Sequence, residues 1–361
     1  MKKMMLWGVC VVLTAMLCFV PQGQAKGLSS DEHVVFFPSE LYRDVASDRY
    51  HLSVHGWVFE PESLGVGLPV FQQDMALEKV EDDTILKRRS GWFLVDNERG
   101  KELSIRFGGQ SYPMTKTEKN GHFHTLISFS PDYQPPQDLT LQTVLRKKDT
   151  RMFLGQVINV PPAGLGVISD IDDTIKISHV LNKKELLKKT FQLEFQAVPG
   201  MAERYAAWSS LSDQVRFYYV SSSPWQLYPE LSSFMDDVGF PKGLFYLKHF
   251  RMKDRQFFNL FSDPIAYKVD TIKDIMQRYP KKTFVLVGDS GERDPEVYGE
   301  IVKTFQDRVL AVYIRDVSKG DKTDIALTQR MTKLFGENVY WAAFKNAETI
   351  EDEKIKGYLK Q

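Results

Sequence analysis

The sequence predicts an α/β fold, built on a mostly parallel sheet and preceded by a smaller β-sandwich-like module, and three observations carry this. From Gly164 onward, short apolar runs alternate with helical patterns, as a parallel sheet with crossover helices requires. Three of those runs end in polar clusters: Asp170-Ile171-Asp172-Asp173-Thr174, Ser221-Ser222-Ser223, and Gly288-Asp289-Ser290-Gly291-Glu292-Arg293-Asp294. Open α/β sheets hold their ligands at the carboxyl ends of strands, so the three clusters point to one site. Upstream, residues 27–160 show period-two runs and turn dipeptides instead.

Taken in order, the chain opens with Lys2 and Lys3 ahead of a 17-residue apolar run, Met4 to Val20, and a small-residue site at Gly23-Gln24-Ala25. This pattern predicts a signal peptide over 1–25, and hence a periplasmic or secreted protein; an uncleaved membrane anchor facing outside is the alternative. Both cysteines, Cys10 and Cys18, lie in this segment, and Leu17 before Cys18 disfavours lipoprotein processing. The chain beyond it has no thiol for disulfides or thiolate metal sites, and it relies on apolar cores. Removing Lys2 and Lys3 leaves 45 basic against 47 acidic residues, about −2, a balance that does not point to a polyanion-binding surface, so nucleic acid is not an expected partner.

In residues 27–160, His51 to Val58 and Leu103 to Phe107 read as strands, with turns at Gly108-Gly109 and Asn120-Gly121. A small β-sandwich satisfies this pattern. Trp57 and Trp92 read as core residues. His122 and His124 alternate on one strand face, with His51 and His55 elsewhere in the module; lacking a ligand motif, they read as structural. Val160-Pro161-Pro162-Ala163-Gly164 forms a stiff join to the catalytic part, residues 164–318. There, Pro229 opens a helix closed by Gly239, Pro295 opens another, and Arg308 to Ile314 reads as the last buried strand. Residues 319–361 read as a helical tail packed on the catalytic domain.

The chemistry of the three clusters suits phosphoryl transfer. Hydrolysis of a phosphate monoester needs roughly 20 kcal/mol of barrier lowering, mostly electrostatic. Asp170 is placed as a nucleophile that forms an acyl phosphate. Asp172, two residues on and facing the same way in an extended segment, is placed as acid and then base. Asp289 and Asp294, with Asp170 and the carbonyl of Asp172, would hold a hard divalent cation, and an all-oxygen set favours Mg²⁺. Ser221 and a lysine would bind the phosphoryl oxygens. Lys268 opens a helical pattern through Val269, Ile272, Ile275 and Tyr279; Lys253 and Lys248 are the alternatives. A calcium loop is excluded, because its sixth position is Ile175 instead of Gly and its twelfth is Leu181 instead of Glu.

These segments resemble the haloacid dehalogenase (HAD) superfamily of phosphatases. They resemble more closely one branch, the Mg²⁺-dependent phosphatidate phosphatase domain of the fungal actin-patch protein type. The resemblance rests on Val167 to Lys176, on Tyr219 to Pro229 with its Ser-Ser-Ser-Pro-Trp-Gln-Leu-Tyr-Pro run, on Leu286 to Glu296, and on Tyr313 to Val317. It implies a HAD-like Rossmannoid sheet. It also implies Asp170 as nucleophile, Asp172 as acid/base, Ser221 as the phosphate-binding hydroxyl, Lys268 as the phosphate-side lysine, and Asp289 and Asp294 on the metal side. The substrate it implies is a phospholipid monoester such as phosphatidate; a small soluble phosphomonoester, or a non-catalytic envelope-binding role, are the alternatives. Residues 246–261 interleave basic and aromatic side chains and offer a peripheral membrane contact, or else core packing. No protein partner is legible.

Overall fold

A computed structural model of the protein describes residues 27–65, 67–249, 264–320 and 323–360. The signal-peptide segment, Lys253 and residues 250–261 of the aromatic-basic stretch lie outside the described residues.

The N-terminal module contains β1 (His33–Phe36), β2 (Ser39–Arg43), β3 (Tyr50–Glu60), helices α1 (Gly67–Asp74) and α2 (Thr84–Gly91), then β4 (Asp96–Asn97), β5 (Ser104–Phe107), β6 (Gln110–Pro113), β7 (His122–Ser128), β8 (Thr140–Thr143) and β9 (Leu154–Val160). Its strands join in one hydrogen-bonded path, β1-β3-β2-β9-β8-β5-β6, with β4 and β7 both paired to β3. Alternate residues such as Leu52, Val54, Ile105, Phe107 and Leu141 turn inward to one apolar core. Within this β-rich module the sequence reading did not place α1 and α2. Their local signal is short: Asp82 caps the turn ahead of α2 by accepting from the Thr84 amide at 3.0 Å. These two-turn helices are held mainly by packing, since segments of this length are marginal alone. Phe71 and Phe93 meet Phe191 at ring distances of 5.2 and 5.5 Å, so the insertion shares a core with the second half of the chain.

The second half comprises β10 (Ala163–Ser169), α3 (Lys183–Phe191), α4 (Met201–Ser210), β11 (Arg216–Pro224), α5 (Tyr228–Val238), β12 (Gly243–Lys248), α6 (Pro264–Arg278), β13 (Lys281–Asp289), α7 (Asp294–Phe305), β14 (Val309–Arg315), α8 (Ile325–Phe335), β15 (Tyr340–Phe344) and α9 (Glu353–Leu359). Among the described residues its sheet is wholly parallel, in the order β12-β11-β10-β13-β14-β15. The strands are apolar on both faces because both are covered. Val167, Val285, Val287 and Tyr313 pack on one side, while Ile168, Phe284, Leu286 and Ile314 pack on the other. Gly239 closes α5 with φ of 90°, a left-handed cap that suits glycine.

Two expectations change here. The C-terminal segment is not simply helical: β15 follows α8 and adds the sixth strand beside β14, its half-buried residues paired from Tyr340 to Phe344. Val309 to Arg315 is therefore an interior strand, not the last one. Of the aromatic-basic stretch, Tyr246, Leu247 and Lys248 follow the core-packing alternative: they belong to the edge strand β12, with Leu247 buried in the core. The join between modules is only Pro161-Pro162, and the two halves are further tied by buried Glu40 of β2, which accepts from Arg278 and from the Tyr279 hydroxyl.

Candidate active site

Strand order reverses between β10 and β13, whose neighbours β11 and β14 run outward on opposite sides. Such a reversal leaves a crevice at the carboxyl ends, where ligands of open α/β sheets bind. Asp170 directly follows β10, Asp289 ends β13, and Asp294 opens α7 just beyond. The fold thus brings all three strand-end clusters to one edge of the sheet.

Lys268 stands at the centre. Its Nζ lies 2.8 Å from Asp170 Oδ1, 2.7 Å from Asp294 Oδ1 and 2.8 Å from Glu292 Oε2, and both Lys268 and Asp170 are almost fully buried. Burial works against the lysine charge, but the three carboxylates outweigh it and raise its pKa well above the ordinary range. Asp170 is pushed the other way. Burial raises its carboxyl pKa well above normal, Lys268 opposes this, and Asp294, Glu292 and Asp172 add to it. The second oxygen of Asp170 accepts from Thr174 Oγ1 at 3.0 Å.

Asp172 has a separate set of partners. Its Oδ1 accepts from Ser178 Oγ at 2.6 Å and pairs with Lys176 Nζ at 2.7 Å. Its Oδ2 accepts from Ser223 Oγ at 2.8 Å and Ser221 Oγ at 3.2 Å. Burial raises this carboxyl, yet Lys176, Ser178 and Ser223 overcome it and hold the pKa at about 2. The serines reach Asp172 because the pairing of β11 with β12 is irregular between Val220 and Pro224. Such an irregularity releases side chains from the ladder and re-aims them. Asp173, with φ of 55°, pins the intervening loop by accepting from the backbone amides of Ser178, His179 and Val180 at 2.7–3.0 Å.

On the β13 side, Asp289 Oδ1 accepts from the amides of Gly291 and Glu292 at 2.6 and 3.0 Å. Its Oδ2 is buried without a hydrogen-bond partner. Burial, then Asp294, Glu292 and Asp170, raises the pKa of this carboxyl well above normal. Asp294 Oδ2 accepts from the Asp289 amide at 3.1 Å. That carboxylate lies so close that a Cβ on Gly288 would stand 2.5 Å from it. Three carboxylates thus meet one lysine, and a fourth, Asp289, has one buried oxygen unsatisfied. Asp170, Glu292 and Asp294 also present ligand atoms within 4.8 Å of one another. An all-oxygen donor set with excess negative charge fits a hard divalent cation.

The structure gathers Asp170, Asp172, Ser221, Lys268, Asp289 and Asp294 at one strand edge. There Asp294 is engaged by Lys268, and the Ser221 hydroxyl is turned to Asp172. Lys248 is elsewhere, with Nζ 5.6 Å above the Tyr267 ring. Sequence reasoning missed Glu292, Lys176, Ser178 and Ser223 as members of the site. Glu292 and Ser223 lay inside the recognised runs, but only the folded contacts distinguish them from their neighbours.

Residues 165–316 match the family model described as phosphatidate phosphatase APP1, catalytic domain. Phosphatidate phosphatase APP1 of Saccharomyces cerevisiae is 36% identical over 164 residues, covering 45% of this chain and 27% of that protein. An uncharacterized protein of Schizosaccharomyces pombe, C29B5.04c, is 31% identical over 181 residues, covering 49% of this chain and 29% of its own length. The alignments therefore span less than a third of either relative. A mutant PilB minor pilin from Streptococcus sanguinis aligns with 92% of this chain and 78% of that one, but a TM-score of 0.26 at 8% identity carries no argument.

Proposed function

We propose that this protein, whose residues 165–316 match the phosphatidate phosphatase catalytic-domain model, is an exported, Mg²⁺-dependent phosphatase of HAD type acting on a lipid phosphate monoester such as phosphatidate. The observation that carries the reading is the buried Lys268–Asp170 pair at the crevice between β10 and β13. A carboxylate at this place, with an adjacent lysine to meet the incoming phosphoryl oxygens, is arranged for in-line attack.

Asp170 attacks phosphorus, the ester P–O bond breaks, and an aspartyl phosphate forms. The leaving oxygen takes a proton from Asp172. Asp172 is ionised in the resting site, so this proton arrives with the substrate monoanion. A phosphoryl oxygen competes for the Ser221 hydroxyl, and Asp172, losing that donor, binds a proton more readily. Water then attacks the aspartyl phosphate, Asp172 accepts its proton and passes it to the phosphate as that leaves, and both Asp170 and Asp172 are regenerated as carboxylates. Asp289, through its unsatisfied oxygen, together with Asp170 and Asp294 would hold Mg²⁺, which neutralises charge on the transferring group. Export is supported by the Lys2-Lys3 pair and the apolar run that follows it.

The test is phosphate release, with and without Mg²⁺, from phosphatidate in mixed micelles beside a panel of soluble monoesters, with Asp170→Asn as blank. Mg²⁺-dependent release from phosphatidate, absent in the variant, is expected. Release from soluble esters alone would discard the lipid substrate and keep the chemistry. Equal release by the variant would remove Asp170 as nucleophile.

A further inference from the structure

Four of the seven histidines of this chain gather at one place, away from the acidic site. His55 on β3 lies opposite His124 on β7, and Trp57 lies opposite His122. Because directly paired residues and those two positions along share a face, His55, His122 and His124 point the same way. His249, the residue after β12, closes the group from the catalytic half. His55 Nε2 and His122 Nδ1 face each other at 2.9 Å, and the His124 ring stacks on His55 with centroids 3.7 Å apart. The His122 and His249 rings are 4.7 Å apart, nearly perpendicular. Ligand nitrogens of His55, His122 and His249 all fall within 4.8 Å of one another.

We propose that His55, His122 and His249 form a second metal site, for a borderline divalent transition ion of the Zn²⁺ class, bridging the β-module and the catalytic domain. Three imidazoles without a carboxylate ligand select such ions over Mg²⁺. His122 is 3% and His55 9% exposed, while His249 is exposed, so two ligands are set in the interior and the third faces solvent. That is a three-ligand arrangement with an outer position left for water. The walls are aromatic. Phe37 lies 4.3 Å from the His55 ring, and Trp225 meets the same ring edge-on at 4.6 Å.

The site also has a position that gives it consequence. Trp225 follows directly on the Ser221-Ser222-Ser223-Pro224 turn, whose Ser223 hydroxyl holds Asp172. A metal joining β3 and β7 to the end of β12 clamps the β-module against the edge of the sheet that carries that turn. The sequence reading took these histidines as structural; what it lacked was His249, 125 residues beyond His124, which completes the set. The inference is independent of the phosphatase reading.

The experiment is titration of the purified, chelator-treated protein with Co²⁺ in millimolar Mg²⁺, followed by visible absorption, then back-titration with Zn²⁺. One equivalent of Co²⁺ should give the intense visible bands of a tetrahedral site and be displaced by Zn²⁺. His249→Gln, at an exposed position that leaves the core intact, should weaken binding by at least about 100-fold, the upper end of the loss for an outer-shell partner. Asp289→Asn should leave the bands unchanged. Absence of visible bands, equal binding by His249→Gln, or loss in Asp289→Asn with retention in His249→Gln would each overturn the proposal. His122→Gln, compared at matched folded fraction by circular dichroism, gives a second reading of the same ligand set.

Discussion

Lys268, in the early turns of α6, and Asp170, just past the end of β10, meet as a buried ion pair at 2.8 Å across 98 residues of chain. Removing a buried lysine from three carboxylates leaves charge without a partner, at a cost of about 3–5 kcal/mol. Lys268→Met should therefore lower the urea midpoint and reduce phosphate release by at least about 100-fold. A variant with wild-type activity would exclude Lys268 from the phosphoryl site.

Asp172 supplies a pH test. Its carboxyl, held at about 2 against the ordinary 3.8, contributes stability above the ordinary value, and that contribution is lost as pH falls from about 4 to about 2. Lys176→Met removes the largest stabilising charge on this carboxylate. The acidic limb of the kcat/KM profile should move up by about 1–2 pH units. An unmoved limb would show that Asp172 does not govern it.

Asp289 behaves in the opposite sense. Its pKa is raised well above normal in the folded state, so stability falls as pH rises above the ordinary carboxylate range, and at neutral pH this group destabilises the metal-free protein. Asp289→Asn should raise the melting temperature in chelator by about 2 °C at pH 7, with the difference vanishing below the ordinary carboxylate range. Mg²⁺ should then stabilise the wild type and not the variant. A variant less stable than wild type at pH 7 in chelator would refute this account.

Gly288 marks how closely the site is packed. A Cβ there would stand 2.6 Å from Asp294 Cβ as well as 2.5 Å from its carboxylate. Gly288→Ala should cost about 1–3 kcal/mol by urea unfolding and displace Asp294, with loss of activity. Unchanged stability would mean that α7 can shift at no cost.

The sequence by itself determined the parallel sheet and the strand ends that carry the chemistry. Buried strands such as Phe284 to Val287 read as continuous apolar runs, and Asp170, Ser221 and Asp289 come within two residues of the end of theirs. These are local signals, written in hydrophobic periodicity and in the residues that end it. The choice of partner was not local. Lys268 is bound to Asp170, Glu292 and Asp294, Ser221 and Ser223 to Asp172, and His249 sits beside His122, through contacts spanning 24 to 127 residues, 127 being the His122 to His249 separation. Helices α1 and α2 and strand β15 follow the same rule: each is short, and each is held by a neighbour distant in sequence, Phe191 for α1, the Lys189, Thr190 and Leu193 carbonyls that accept from Arg89 for α2, and β14 for β15. Only the tertiary structure decided these, because a charge or a short segment takes its free energy from what is packed against it, and chain order does not specify that.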